Sequence, residues 1–281
     1  MRTNFASKIQ GLKPDVRKEY DKLYEIYTEE FISDFQGREY TFEMIFVEHF
    51  KEYPFETTCL SLDEFNEECG NSFEGDPKNF DVDYFINFAE YFYNMLIWLP
   101  SRFYEFYTFH LYDDLFVQQH ILKVIESLGY TSINENGFTI FVPKDNVSIA
   151  VSELEQIPEN VSHKILAYHH HSMKGDIEAK KATLIILASQ LEPQEKALSQ
   201  IDNSFKSDLF YAFNNLNIRH NNVDPSDKRY YKKVVAEMDA EELERWYDET
   251  YQMCLLAFMR LEQKDRKKEF DEVKIKIEAK E

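Results

Sequence analysis

Glycine and proline are scarce in this sequence, with 7 and 8 among 281 residues. Both residues mark tight turns and breaks in regular structure. A long chain with so few of them has few connections, which favours long helices over many short strands. Its 24 phenylalanines and 18 tyrosines are enough for a full hydrophobic core. The sequence therefore predicts a mainly α fold, in one large domain or two smaller ones.

Cysteine is rare as well. Cys59, Cys69 and Cys254 are an odd number, without the paired spacing of a zinc site or a disulfide framework. This usage fits a reduced compartment, so we expect a cytoplasmic protein. The sequence also has no dinucleotide fingerprint, kinase motif set, serine-hydrolase elbow or calcium loop. We therefore expect no cofactor and no metal.

Long apolar runs are missing too. The first twenty residues contain no apolar run of signal-peptide length. The most apolar segment, YFINFAEYFYNMLIWLP at 84–100, carries Asn87, Glu90 and Asn94 and is broken by Pro100. It predicts a buried helix rather than a membrane span.

Positive charge is in short supply, since 32 lysines and arginines face 52 aspartates and glutamates, for a net charge of −20. Nucleic-acid binding works by neutralising phosphates, and a uniformly acidic surface repels them. Contact with RNA would therefore need a local basic patch or a partner.

The chain divides into three parts by its sequence texture. Residues 1–127 predict an aromatic-rich helical region, and residues 148–281 predict a second helical region. Between them, at 128–147, two short β-type runs flank Asn136-Gly137. This dipeptide is the strongest short signal for a hairpin, so we predict two helical regions joined by a small β-hairpin.

Apolar periodicity places several of the helices. One is predicted at 81–99, and another at 101–128 with Gly129 as its terminator. A helix is predicted at 203–220, and the last helix begins near Asp239, a candidate cap.

The predicted helix at 203–220 ends in an unusual polar stretch, NNLNIRHNN at 214–222. A cation near the last carbonyls stabilises a helix end by about 0.3–1 kcal/mol, and asparagine is a good terminator. A cap accounts for one base and one amide. The remaining asparagines, which are poor in helix interiors, favour a second interpretation, a polar binding site. Its candidate residues are Arg219, His220, Asn215, Asn221 and Asn222.

The surrounding segment, 204–235, is basic although the whole chain is acidic. It holds Lys206, Arg219, Lys228, Arg229, Lys232 and Lys233 against Asp208, Asp224 and Asp227, a local excess of +3. Cations interleaved with tyrosines are typical of surfaces that bind single-stranded nucleic acid. Lys228, Arg229 and Tyr230 are therefore candidate substrate-binding residues. The alternative is that these cations pair with the acidic remainder of the chain.

A run of three histidines, His169-His170-His171, raises the alternative of a metal-dependent hydrolase. Consecutive side chains on a helix point about 100° apart, so the three cannot all face one metal. The helical zinc motif with two histidines four residues apart is absent. Three consecutive histidines are more typical of exposed side chains at the end of a helix.

The carboxy-terminal half resembles a known family in three phrases. These are YHHHSMKGDIEAKKATLIILASQLEP, LFYAFNNLNIRHNN and ELERWYDETYQMCLLAFMRLE. They resemble the helical region of bacterial abortive-infection proteins of the AbiJ type, which are linked to the HEPN superfamily of helical-bundle ribonucleases. The resemblance covers about residues 158–262.

The resemblance implies a HEPN-like bundle that cleaves RNA without metal, in a homodimer with a composite cleft. Arg219 would stabilise charge on the phosphoryl group, and His220 would handle the proton of the attacking 2′-hydroxyl or of the leaving oxygen. Asn221 and Asn222 would orient them or hold phosphate. Phage infection would be the setting, with a phage or antitoxin protein as partner.

The sequence departs from the family pattern at one point. The usual motif places four to six residues between arginine and histidine, whereas His220 follows Arg219 directly. Adjacent helical side chains diverge, so the two converge only if the helix breaks there. A non-catalytic HEPN-like scaffold that recognises a phage or host partner is therefore the alternative function.

Overall fold

The structure is a computed structural model that describes residues 14–29, 31–53, 57–99, 103–110 and 112–279. Contacts divide the chain into two compact units, Met1–Pro143 and Lys144–Glu281. The protein is mainly helical, as the sequence predicts, with two small antiparallel sheets. Among the described residues, every helix is too short or too polar to cross a membrane.

The first unit contains helices and both sheets. In chain order its elements are α1 Val16–Thr28, β1 Ile32–Asp34, β2 Glu39–Tyr40, α2 Phe42–His49, α3 Leu62–Cys69, α4 Val82–Ile97, α5 Phe103–Phe106, β3 Tyr107–Phe109, α6 Asp114–Ser127, β4 Tyr130–Glu135 and β5 Phe138–Pro143. A short 3₁₀ turn, Phe50–Glu52, follows α2. The core is aromatic, with α4 contributing Phe88 and Phe92 to a cluster that also holds Tyr27 and Phe46.

The predicted hairpin forms as β4 and β5. Asn136 (φ 53°) and Gly137 (φ 90°) take the left-handed conformation that a tight two-residue turn requires. The strands pair antiparallel in register from Tyr130 opposite Pro143 to Glu135 opposite Phe138. The hairpin lies inside the first unit.

The three-stranded sheet has no counterpart in the sequence prediction, and the predicted continuous helix at 101–128 is interrupted by a strand at Tyr107–Phe109. Tyr107–Phe109 forms β3, which pairs antiparallel with β1 and places Phe109 opposite Ile32. A new helix, α6, starts after Asp113, whose side chain accepts a hydrogen bond from the Phe116 N–H at 2.6 Å. Strand pairing and this cap together interrupt a helical apolar pattern. Gly129 follows the end of α6 with a φ of 83°, as predicted.

The second unit is helical throughout its regular elements. These are α7 Asn146–Ser152, α8 Glu159–Ala167, α9 Ile177–Leu191, α10 Glu195–Ile201, α11 Asn203–Asn215, α12 Lys233–Ala236 and α13 Ala240–Glu278. Short 3₁₀ turns lie at His171–Met173 and Glu192–Gln194. The 39-residue helix α13 begins after Asp239, which accepts from the Glu242 N–H at 2.8 Å and confirms the predicted cap. Its buried face, with Tyr247, Tyr251 and Phe258, forms the core with leucines of α9.

Candidate nucleic-acid interface

The candidate site lies in the irregular segment that follows α11, residues 216–232, which we call the 216–232 loop. Helix α11 ends at Asn215, so the predicted extension to residue 220 is wrong. Asn217 adopts a φ of 57°, a left-handed conformation that asparagine tolerates better than most residues. The helix thus breaks before Arg219, and both Arg219 and His220 lie on the loop.

Asn222 holds the loop together from its interior, where it is 0% exposed. Its Oδ1 accepts from the Asn217 N–H at 2.7 Å, and its own N–H donates to Asn217 Oδ1 at 3.2 Å. Its Nδ2 donates to the carbonyls of Asn214 at 3.1 Å and Tyr230 at 2.7 Å. Its carbonyl accepts from the Lys232 N–H at 2.8 Å. The buried Asn222 side chain is thus occupied by backbone groups of the loop, and it is not exposed to hold a phosphate.

Arg219 is held on the side of the loop that faces α9 and α11. Its guanidinium lies over the rings of Phe210 and Phe213, at 5.5 and 5.3 Å from their centroids. One terminal nitrogen is 3.2 Å from Glu192 Oε2 and 3.5 Å from the Ala188 carbonyl. The Arg219 side chain is 18% exposed, and Glu192 is 63% exposed. The charge of Arg219 is therefore already paired, by a carboxylate that solvent can reach.

His220 takes part in a different set of contacts. Its ring stacks on Tyr230, with 3.8 Å between centroids and 12° between planes. The Arg229 guanidinium also lies over the Tyr230 ring, 4.9 Å from its centroid. His220, Tyr230 and Arg229 form what we call the aromatic stack. The structure brings these three predicted site residues together, while Arg219 contacts other partners.

Asp227 fixes the turn that presents Arg229 and Tyr230. Its Oδ1 accepts from the N–H groups of Arg229 at 3.2 Å and Tyr230 at 3.3 Å. Its carbonyl accepts from the Tyr231 N–H at 2.9 Å. The sequence did not predict that Asp227 and Asn217 shape the loop. The composition of Asp-Pro-Ser-Asp at 224–227 does signal a turn, because aspartate and serine side chains bond their own backbone.

The remaining predicted residues lie on the 216–232 loop or on the helices that flank it. Lys228 and Asn221 are exposed, and Lys232 is exposed as well. Over the described chain, no carboxylate lies within 4.0 Å of the cationic atoms of Lys228, Arg229 or Lys232, whereas Lys206 pairs with Glu195 and Lys233 with Glu237. Asn215 Nδ2 donates to the Tyr211 carbonyl at 2.9 Å, one turn back in α11. Arg229 belongs to the aromatic stack, and Lys228 and Lys232 are two further exposed cations on the same loop.

The histidine triplet lies beyond the end of α8 and leads into the 3₁₀ turn. His169 is edge-on to Tyr168 and Tyr251, 5.2 Å from each ring, and burial lowers its pKa. His170 Nδ1 lies 2.7 Å from the hydroxyl oxygen Oγ of Ser172. The first two histidines thus have separate packing and hydrogen-bonding partners within the second unit.

The chain matches no family model, no curated protein and no solved structure.

Proposed function

We propose that the 216–232 loop binds single-stranded RNA. The observation that carries the proposal is the aromatic stack of His220, Tyr230 and Arg229 beside the unpaired Lys228 and Lys232. Proteins bind single strands by stacking bases on aromatic rings and by following the backbone with cations. In this proposal a base extends the stack, and the two lysines contact phosphates of the same strand.

The biological setting that we propose comes from the sequence resemblance. The chain acts in a bacterial cytoplasm as an abortive-infection protein of the AbiJ type, with a HEPN-like second unit. A homodimer and a phage or antitoxin protein as partner belong to the same proposal. In the alternative, the 216–232 loop recognises a phage or host protein without cleaving anything.

RNA cleavage without metal is the second candidate function, and one observation favours it. His220, the proposed acid and base, is itself a member of the aromatic stack. It would handle the proton of the attacking 2′-hydroxyl or of the leaving oxygen. Arg219 would have to exchange Glu192 for the phosphoryl group, and the exposure of Glu192 leaves that exchange open to solvent. Cleavage therefore requires a rearrangement that binding does not.

Binding is tested by fluorescence anisotropy of the full chain with a labelled uridine 20-mer in EDTA. Replacing Tyr230 with Ala should weaken binding about 5- to 150-fold, the range for loss of one stacked base. Replacing Lys228 and Lys232 together with Ala should reduce the slope of log affinity against log salt by about 1.4, since each single-strand contact contributes about 0.7. The matched control is Lys267→Ala with Lys276→Ala, two exposed lysines on α13.

The results divide the candidate functions. Unchanged affinity in both loop variants, or no affinity at all, would overturn RNA binding by the loop. The ribonuclease would be established by two results. The parent protein should cleave the same RNA in EDTA and arrest growth on expression, and Arg219→Ala and His220→Ala should each abolish the cleavage. Binding without cleavage would assign the loop to recognition alone.

A further inference from the structure

The last helix of the second unit, α13, extends well beyond the core that it helps to form. Leu261 is the last of its buried residues, and the helix continues to Glu278. The segment 262–278, which we call the α13 tail, is about 25 Å long at about 1.5 Å per residue. Most helical stability in proteins comes from the packing of an apolar face, and a helix of this length alone is marginal in water. A partner that covers the α13 tail would therefore stabilise it.

Ion pairs within the α13 tail stabilise it only weakly. They are Glu262 with Arg266, Asp265 with Lys268, and Asp271 with Lys274, at 2.6, 2.6 and 3.4 Å. Each pair joins residues three or four positions apart on a helix surface, where such pairs contribute little because solvent screens them. The ion pairs therefore do not replace the packing of an apolar face.

Apolar side chains follow one side of α13 with alternating spacings of three and four residues. The positions, which we call the α13 seam, are Leu256, Met259, Gln263, Arg266, Phe270, Val273 and Ile277. The five apolar members are 38% to 60% exposed. At about 100° per residue, the seam lies on the side of α13 opposite to the buried Cys254, Phe258 and Leu261. This spacing is the heptad repeat of a coiled coil, with the seam at positions a and d.

Gln263 and Arg266 interrupt the α13 seam at its middle. A polar residue at such a position lowers the stability of a coiled coil but fixes its register. The Arg266 side chain is 73% exposed and pairs with Glu262 on the same helix. Its apolar stem can therefore pack in the seam while its charge stays in water. After Arg266, every seam position up to Ile277 is apolar.

The residues that flank the α13 seam carry charges that complement a second copy of the same helix. One flank, position e, holds Arg260, Lys267 and Lys274, and the other, position g, holds Glu262, Glu269 and Lys276. In a parallel pair, each g residue faces the e residue five positions later on the other helix. Glu262 would then face Lys267, and Glu269 would face Lys274. An antiparallel pair would set the two e flanks against each other, and all three e residues are basic.

We propose that α13 forms a parallel two-stranded coiled coil with α13 of a second copy of this chain. The apolar side chains of the seam supply the affinity, since exposed ion pairs each contribute little. The charged flanks select the parallel orientation. The α13 seam lies outside the 216–232 loop, so the inference does not rest on RNA binding. It goes beyond the homodimer of the proposed function by naming the surface on which two copies meet.

Sedimentation equilibrium of the full chain, over a range of micromolar concentrations, measures this self-association, and we expect a dimer. Val273→Asp should raise the dissociation constant at least about 100-fold, because each dimer loses two apolar contacts and gains two carboxylates in the seam. The matched control is Ile275→Asp, since Ile275 is 65% exposed and points away from the seam. Val273 is 46% exposed, so both variants should keep the helical circular dichroism of the parent.

The orientation of the two helices is tested by disulfide cross-linking of the full chain, with the exposed Cys69 replaced by Ser. Ile277→Cys should form a covalent dimer on mild oxidation, because a parallel pair in register places the two introduced thiols side by side. Ile275→Cys is the control and should cross-link far less. An antiparallel pair would hold the two thiols introduced at Ile277 far apart.

A monomer across the whole concentration range would overturn the proposal. So would a dimer that Val273→Asp and Ile275→Asp leave equally intact, because its interface would lie elsewhere. A dimer that Ile277→Cys does not cross-link would overturn the parallel arrangement. These measurements contain no RNA, so their outcome is independent of RNA binding by the 216–232 loop.

Discussion

Asn222 is a single residue that stabilises the conformation of the 216–232 loop. Its side chain is fully buried and bonds three backbone groups of the loop, so its removal takes away three hydrogen bonds at once. A buried group without its partner costs about 1–3 kcal/mol. We therefore expect Asn222→Ala to lower the free energy of unfolding by about 3 kcal/mol, measured by urea denaturation.

The neighbouring Asn221 is the matched control for this change. It is exposed, and surface substitutions usually change stability by less than about 0.5 kcal/mol. Equal losses in Asn221→Ala and Asn222→Ala would show that the hydrogen bonds of Asn222 do not hold the loop.

Asn221 and Asn222 also show which features of the loop could be predicted from the sequence. The cluster of asparagines indicated a polar feature after an apolar helix, and the structure places the helix end there. Which amide turns inward depends on the break at Asn217 and on the return of the chain to Tyr230. Both are tertiary facts that single-sequence spacing does not contain. The pairing of Arg219 with Glu192, 27 positions earlier, belongs to the same class.

At the scale of elements, α4 shows why an apolar helix carries buried polar residues. Asn94 lies along the edge of β5, where its Oδ1 accepts from the Thr139 N–H at 2.8 Å and its Nδ2 donates to the Thr139 carbonyl at 2.7 Å. Glu90 accepts from the Phe141 N–H. The two side chains satisfy a strand edge that would otherwise be buried without partners. In the sequence they only argued against a membrane span.

We expect Asn94→Leu to lower the free energy of unfolding by about 2–4 kcal/mol, since it leaves two backbone groups of β5 without partners. Asn87→Leu, seven residues earlier in α4, is the control, because Asn87 is only partly buried and its side-chain hydrogen bond to Asn71 is 3.5 Å long. Hydrogen exchange of the Thr139 amide reports the same contact directly. A Thr139 amide that stays protected in Asn94→Leu would contradict this account.

Capping and turn residues predicted the ends of those elements that nearby residues determine. The cap at Asp239 and the turn at Asn136-Gly137 are confirmed. The prediction failed at 101–128, where pairing with β1, about 75 residues earlier, turns Tyr107–Phe109 into a strand. Tertiary pairing overrides helical periodicity in such a short segment.

At the scale of the whole molecule, the hydrophobic cores follow the division of the chain. Every buried residue of the first core lies between Tyr20 and Phe141, and every buried residue of the second lies between Val151 and Leu261. Each core thus draws its buried residues from one unit, 1–143 or 144–281. A segment with a complete core of its own has the main requirement for independent folding.

We therefore expect a fragment of residues 144–281 to fold without the first unit. It should show helical circular dichroism and a cooperative thermal transition, because its core is complete. A fragment of residues 175–281 is the control, because it lacks four residues that are buried in the second core, namely Val151, Val161, Ile165 and Tyr168. The loss of each large core residue costs about 2–5 kcal/mol, and the summed loss exceeds the stability of a typical domain. The control fragment should therefore not fold. A broad, uncooperative transition in 144–281, while the full chain melts cooperatively, would show that the second core depends on residues before Lys144.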